Sequence, residues 1–509
     1  RKPRRVTAAD ALAAALTGTI NVGGERVEVE VEGTVARLAD RLRTATGASL
    51  ISGDHGRELA EPDGLTAELR PYQRRGLAWL AEMADLGLGG CLADDMGLGK
   101  TIQVIALHVH RHLPGGPGGP TLVICPASVL GNWGREVERF APAVPVRRYH
   151  GGDRHLEGVN DGEIVLATYG MVRRDRAALA EVTWGLVVAD EAQQVKNPLS
   201  RTARELRAIP AAARIALTGT PVENRLTDLW AILDWTTPGL LGPLEGFQQR
   251  VAIPVERHRD PDATAAFGNL VRPFLLRRRK IDPGIAPDLP PKTETDQVVP
   301  LTAEQATLYE AVVREALADI ATAQGINRRG LVLKLLTALK QVCNHPAQYL
   351  KQPGPLVGRS GKLEALDDLV DAIADAGDSV LVFTQYVAMA RLLEGHLRRR
   401  DVPTVFLHGG VPPARRDALV DRFQAGEVPV FLLSLKAGGT GLNLTRATHV
   451  IHFDRWWNPA VEDQASDRAW RIGQDRPVQV HRLVTEGTVE DRIATLLRTK
   501  RELAEAVVG

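Results

Sequence analysis

The chain has 509 residues, 44% of them hydrophobic and 25% charged, with a formal net charge of +1. That length accommodates two to four domains with their own cores, and the near-neutral balance excludes a global basic field, so any nucleic-acid contact must come from local patches. No apolar run approaches the roughly 18 residues of a membrane-spanning helix, and the three scattered cysteines, Cys91, Cys125 and Cys343, suit reduced thiols in a cytoplasmic protein, not a disulfide frame.

The chain opens at Arg1 with no methionine and no signal-peptide pattern, which reads as the C-terminal portion of a longer protein. Residues 1–66 form an N-terminal appendage without evident chemistry. Within it Arg26 to Glu32 alternates as a half-exposed strand does, and Thr34 to Arg43 reads as a helix. The character changes at Leu69-Arg70-Pro71-Tyr72-Gln73. The Gln73 amide offers one donor and one acceptor, which suits the N6/N7 edge of adenine.

A short apolar run, Gly90 to Ala93, then leads into Asp94-Asp95-Met96-Gly97-Leu98-Gly99-Lys100-Thr101 and a helical segment from Ile102. Strand, glycine loop and helix form the context of a phosphate-binding loop. The glycines let backbone N–H groups curl around an anion, and the helix N-terminus adds a positive dipole end. Lys100 can reach the β- and γ-phosphates and Thr101 can ligate Mg²⁺. Asp94 stands where the general loop pattern has glycine, so Gly97 must supply the flexibility. Asp94, Met96, Gly97, Leu98, Gly99, Lys100 and Thr101 are the expected nucleotide-binding stretch.

Four more apolar runs follow, each ending in polar residues. Thr121 to Cys125 leads into Pro126-Ala127-Ser128, and Glu163 to Ala167 into Thr168-Tyr169. Gly185 to Ala189 leads into Asp190-Glu191-Ala192-Gln193, and Arg214 to Leu217 into Thr218-Gly219-Thr220. Continuous apolar runs alternating with helices imply a parallel sheet covered on both faces, with ligands bound at the C-terminal strand ends. There Asp190 can hold Mg²⁺ and Glu191 can orient or deprotonate the attacking water. Beyond a helical stretch, the basic run Arg277-Arg278-Arg279-Lys280 suits a phosphate contact, a solvated face or an inter-lobe contact equally. Residues 281–300, with Pro283, Pro287, Pro290 and Pro291, read as a linker.

Residues 301 to about 350 read as helices, and Cys343-Asn344-His345-Pro346 as a helix-ending turn rather than a zinc site, since no second Cys/His pair accompanies it. A second strand series then begins at Ser379 and continues at Thr404, Val430, His449 and Val478, implying a second α/β lobe. This lobe lacks a phosphate loop of its own. It offers instead Gln464, Arg468 and Arg471, which fall on one face of a helix by the i, i+4, i+7 rule, as an arginine finger aimed at another lobe's ATP requires.

The ordered blocks LRPYQRRG, LADDMGLGKT, CPASVLGNW, ATYG, DEAQ, LTGTPVENRLTDLW, FLLRR, CNHP, VFTQY, LHGG, SLKAGGTGLNLT and DRWWNPAVEDQASDRAWRIGQ resemble those of the SWI/SNF-like ATPases, the double-stranded DNA translocases of helicase superfamily two. The resemblance runs from Leu69 to about the C-terminus. It implies two RecA-like parallel-sheet lobes of the P-loop NTPase class, with Mg-ATP in the cleft. The first lobe would span 67–280 with a helical protrusion at about 222–272, and the second 301–509 with one at about 302–355. By motif match Lys100, Asp190, Glu191, Arg468 and Arg471 are the catalytic positions, and Gln73 and Gln464 join the nucleotide site. Pro126, Ser128, Thr168, Tyr169, Gln385, His408, Gly409, Ser434 and Lys436 match positions tied to the nucleic-acid groove. Hydroxyls and backbone amides suit phosphate oxygens, so sequence-independent, salt-sensitive binding of duplex DNA is expected. A monomer is expected, with a protein partner chosen by the upstream region. Asp95 stands where many relatives have glutamate and Gln193 where others have histidine. No bromodomain, chromodomain or RING insertion is present, and the loop differs from the bacterial branch that recycles RNA polymerase. These departures favour a minimal prokaryotic, nucleoid-associated member.

Overall fold

The computed structural model describes residues 7–22, 25–46, 58–222, 225–435, 442–495 and 497. The chain divides into two compact units, one ending at Pro287 and the other beginning at Asp288. No helix among the described residues is long and apolar enough to cross a membrane.

The first unit is built on a seven-stranded, all-parallel sheet. Two short N-terminal strands, β1 (Thr19–Val22) and β2 (Glu25–Glu28), lie outside it as an antiparallel hairpin. The main strands are β3 (Gly90–Leu92), β4 (Thr121–Cys125), β5 (Val146–Tyr149), β6 (Ile164–Thr168), β7 (Trp184–Asp190), β8 (Ala211–Leu217) and β9 (Leu275–Leu276). They run in the order β5-β6-β4-β7-β8-β3-β9. Every residue of β3, β4 and β6 is buried, so the apolar runs are continuous, as strands covered on both faces demand. The edge strand β5, Val-Arg-Arg-Tyr, was not evident in the sequence because an exposed edge needs no such run.

The N-terminal residues pack onto this unit. Leu12, Leu16, Ala39 and Leu42, from the helices Ala8–Thr17 and Thr34–Thr46, are buried in its main core. The Thr7 hydroxyl caps the first helix by accepting from Asp10 N at 3.1 Å. The alternating stretch forms a strand only as far as Glu28. Between Leu226 and Val271 lies a helical insertion, in which Phe247 and Phe267 are buried with ring centroids 5.5 Å apart.

The second unit carries a six-stranded, all-parallel sheet. Its strands are β10 (Lys292–Val299), β11 (Val380–Thr384), β12 (Thr404–Leu407), β13 (Val430–Ser434), β14 (His449–His452) and β15 (Val478–Thr485), ordered β10-β15-β14-β11-β13-β12. The helices Ala303–Thr322 and Gly325–Asn344 pair beside it, with Val312, Leu339 and Val342 as a small core of their own. His345 ends the second of these helices. Its Nδ1 accepts from Ala347 N and its Nε2 bonds the Leu356 carbonyl, so both ring nitrogens serve a helix-joining turn.

The segment read as a linker at 281–300 differs from expectation. Lys292–Val299 is the edge strand β10, paired along its whole length with β15. Its sequence is polar because most of its residues are exposed, which conceals a strand. Charge fastens it instead. Glu294 pairs with Lys292 at 2.6 Å and with Arg482 of β15, while Arg482 also lies 3.5 Å from Asp296. Burial pushes the Glu294 carboxyl up, but Lys292 and Arg482 outweigh it and hold it at about 2. A depressed carboxylate stabilises the fold above its unfolded pKa, and that contribution disappears as pH falls through the folded value. Thermal melts between pH 5 and 2 are therefore expected to decline less steeply for Glu294→Gln than for the parent chain. Parallel declines would show that the Glu294 pairs add nothing to stability.

Candidate functional site

The phosphate loop follows β3 and is held from three sides. Gly97 and Gly99 adopt left-handed backbone conformations, with φ of 85° and 78°, which residues with a Cβ rarely tolerate. A Cβ on Gly99 would lie 2.4 Å from Gln73 Nε2. The helix Lys100–Arg111 starts directly after Gly99, so the unpaired N–H groups of its first turn face the loop. Lys100 Nζ donates to the Asp94 carbonyl at 2.6 Å and to the Asp95 carbonyl at 3.3 Å. Thr101 follows it, half-buried, and Met96 packs within reach of Gly219.

Two of the expected nucleotide-binding side chains brace this loop. Asp94 is fully buried, and both its carboxylate oxygens accept from Arg278, Oδ1 from Nε at 2.8 Å and Oδ2 from Nη2. Arg278 also donates to the Tyr72 carbonyl and to Gln103 Oε1 at 2.8 Å, with its guanidinium over the Tyr72 ring. The basic run is thus no solvated face at Arg278, which is 2% exposed. The backbone agrees, since Ala93 N donates to Leu276 O and Asp95 N to Arg278 O, extending the β3–β9 ladder along the loop. The Gln73 amide, expected to meet adenine, bonds within the unit: Oε1 accepts from Arg70 N at 2.9 Å and Nε2 donates to Leu98 O at 3.1 Å. Tyr72 Oη donates to the same Leu98 carbonyl at 2.9 Å.

Asp190 ends β7, whose neighbours in the sheet are β4 and β8. Its Oδ2 accepts from the indole N–H of Trp133 at 2.8 Å, and its Oδ1 from Glu191 N at 2.9 Å. Burial first, then the charge of Glu191, pushes the Asp190 carboxyl above the usual carboxylate range, while Trp133 and Lys100 pull against that shift. Glu191 sits in the left-handed region, φ 52° and ψ 54°, a strained conformation of the kind that clusters at functional sites. Its Oε2 accepts from Gln193 Nε2 at 2.7 Å, Gln193 Oε1 accepts from Thr218 Oγ1 at 3.0 Å, and Thr218 Oγ1 accepts from Thr220 N at 3.0 Å. The ends of β7 and β8 are thereby one hydrogen-bonded unit.

The groove positions of this unit divide. Pro126 is half-buried and Ser128 exposed in the loop after β4. Thr168 is buried at the end of β6, and the Tyr169 hydroxyl donates to the Asp190 carbonyl at 2.7 Å, so it is committed within the unit. Trp133, Gln103, Tyr72 and Arg278 carry site geometry that the sequence reading had not assigned. For Trp133 the available signal was its chemistry, because a buried indole N–H must find an acceptor.

In the second unit, Gln464, Arg468 and Arg471 do not share one helix. The helix is Pro459–Ser466, and only Gln464 lies on it. Beyond it the backbone turns, because its carbonyls bond elsewhere. Leu444 N donates to Arg468 O, and the buried Gln474 amide donates to the carbonyls of Thr445, Ala447 and Ala469. Arg468 is 1% exposed, and Arg471 Nη1 donates to Leu442 O at 3.3 Å. Gln385 N donates to Asp454 Oδ1 at 3.0 Å. His408 Nδ1 accepts from Gly410 N beside an exposed Gly409, and the Ser434 hydroxyl is buried. Lys436 lies outside the described residues.

The first unit suits Mg-ATP. It joins a left-handed glycine turn, a lysine on the loop carbonyls, a hydroxyl at the helix start, and a buried carboxylate at the end of β7, with β8 lying between that strand and β3. Comparison with known proteins identifies the family. The SNF2-related domain model matches residues 72–348, and the helicase conserved C-terminal domain model matches residues 361–473. The Bacillus subtilis protein YwqA is 47% identical over 448 residues, 86% of this chain and 49% of that protein. The ISWI chromatin-remodeling complex ATPase CHR17 of Arabidopsis thaliana is 34% identical over 486 residues, 92% of this chain and 45% of that protein. The chain thus spans about half the length of the curated relatives it matches. Among solved structures, the Sulfolobus solfataricus SWI2/SNF2 ATPase core in complex with dsDNA is 40% identical, with 89% of this chain and 95% of that chain covered at a TM-score of 0.47. With two all-parallel α/β lobes and family models that match most of its length in order, the chain belongs to the SNF2-related family of helicase superfamily two ATPases.

Proposed function

We propose that this chain is an ATP-driven translocase on double-stranded DNA, which hydrolyses ATP to move along the duplex and remodel protein–DNA complexes without separating the strands. The observation that carries the reading is the shared edge of the first sheet. There the phosphate loop, Asp190-Glu191, and the Pro126–Ser128 and Thr168–Tyr169 corners all follow the C-terminal ends of parallel strands. A ligand bound at one of these corners is mechanically close to the others.

In this reading the N–H groups before Lys100 and the Lys100 ammonium hold the β- and γ-phosphates. Thr101 and Asp190 hold Mg²⁺, which supplies charge neutralisation at the transferring phosphoryl. Glu191 orients the attacking water and takes its proton. Met96, Leu98 and Gln464 line the nucleotide. Arg468 and Arg471 have the arginine-finger role, a contribution of about 10³–10⁵ in rate. Pro126, Ser128, Thr168, Gln385, His408, Gly409, Ser434 and Lys436 contact the phosphate backbone of duplex DNA on the nucleoid, whereas the Tyr169 hydroxyl stays on the Asp190 carbonyl.

The test is the ATPase rate without nucleic acid and with duplex DNA, single-stranded DNA or RNA. Duplex is expected to stimulate most, with stimulation falling steeply as salt rises. Lys100→Ala should abolish the rate and Arg468→Ala should remove nearly all of it. Stimulation by single strands alone would replace this reading with a strand-separating helicase, and full activity of Arg468→Ala would remove the second lobe from the chemistry.

A further inference from the structure

Two corners of the first lobe converge on one residue. The turn Pro126–Val129 runs directly into the helix Leu130–Phe140, with Val129 N donating to Pro126 O and Trp133 N to Val129 O. One turn into that helix, Trp133 is 1% exposed, and its indole N–H donates to Asp190 Oδ2 at 2.8 Å. The other corner is Thr168–Tyr169, the end of β6 and the start of the helix Tyr169–Glu181. Its Tyr169 hydroxyl donates to the Asp190 carbonyl at 2.7 Å. The three strand ends are neighbours, since Cys125 of β4 pairs with Thr168 of β6 and Ile124 with Ala189 of β7. One corner therefore grips the Asp190 side chain and the other its backbone.

We propose that Trp133 and Tyr169 are positioning residues through which duplex DNA at the Pro126–Ser128 and Thr168 corners sets the geometry of Asp190, and so the extent to which DNA stimulates hydrolysis. This rests on the proposed duplex-DNA function and deepens it. The physical basis is rigidity. A helix and a strand end move as units, and each is tied to Asp190 by a single short hydrogen bond, so a shift at either corner displaces a carboxylate whose placement fixes Mg²⁺. Ser128, exposed at one end of the first connection, and Trp133, buried at the other, lie on one continuous hydrogen-bonded segment.

The experiment compares the 509-residue chain with Trp133→Phe, which keeps an aromatic ring and removes the N–H, and Tyr169→Phe, which removes one oxygen. For each, the ATPase rate is measured with and without saturating duplex DNA, alongside the Mg²⁺ concentration for half-maximal rate, duplex affinity by fluorescence anisotropy, and the melting temperature. Trp133→Phe is expected to lower the ratio of stimulated to basal rate about tenfold, the effect of one hydrogen bond to a charged group, and to raise the Mg²⁺ requirement, with duplex still bound. Equal losses in basal and stimulated rates, leaving the ratio unchanged, would overturn the coupling and leave Trp133 as a support of the metal site. If Trp133→Phe melts well below the parent, Tyr169→Phe decides, and an unchanged ratio there overturns the proposal. A parent chain that duplex does not stimulate fails the functional reading itself, whereas a stimulated parent with unaltered ratios in both variants fails this inference alone.

Discussion

Arg278→Ala is expected to cost the first lobe about 3–5 kcal/mol and to lower its melting temperature by on the order of 10 °C. The Asp94–Arg278 pair is almost wholly buried, at 0% and 3% side-chain exposure. Removing the guanidinium leaves a fully buried carboxylate without its ion-pair partner, the costly way to break such a pair. The same change frees the Tyr72 carbonyl and Gln103 Oε1 and removes the cation from the Tyr72 ring. Because Lys100 is held by the carbonyls of Asp94 and Asp95, ATP binding should weaken in the same variant. The double variant Asp94→Asn with Arg278→Met buries no net charge and should recover part of the stability. Thermal denaturation with and without Mg-ATP reads both effects. A melting temperature within a degree or two of the parent for Arg278→Ala would mean that the pair is not holding the loop.

Glu191→Gln is expected to reduce hydrolysis by about 10²–10⁴ while ATP still binds, since the amide keeps the shape and loses the base. The structure adds an ordering to this expectation. Gln193 holds Glu191 Oε2 and is itself held by Thr218, so Gln193→Ala should produce a smaller loss that acts on kcat more than on KM. Rapid-quench measurement of a single turnover, beside equilibrium binding of a fluorescent ATP analogue, separates chemistry from binding. A hydrolysis step within a fewfold of the parent in Glu191→Gln would move the base elsewhere.

The parts of the fold that the sequence announced are those governed by local rules. The central strands β3, β4, β6 and β7 declare themselves because burial on both faces demands unbroken apolar runs. The phosphate loop declares itself through Gly97, Gly99 and Lys100, whose spacing is set by backbone geometry alone. What stayed hidden depends on distant partners or on exposure. The contact of Arg278 with Asp94 joins residues 184 positions apart, so its basic neighbourhood suited three readings equally. β10 is an exposed edge held by ion pairs, and Lys-Thr-Glu-Thr-Asp-Gln carries no strand periodicity. The turn bearing Arg468 and Arg471 fits helical spacing in sequence. The Gln474 amide and Leu444 N, both outside that window, take the carbonyls that a longer helix would have used. Trp133 was visible only as an aromatic at the end of CPASVLGNW, since its acceptor is 57 positions away.

Displacement of a third strand from a DNA triplex tests the central claim most directly, because a motor tracking along intact duplex removes that strand without melting the two beneath it. The account predicts ATP-dependent release of the third strand by the 509-residue chain, none by Lys100→Ala, and no unwinding of a forked duplex under the same conditions. Unwinding of the fork without triplex displacement would contradict it.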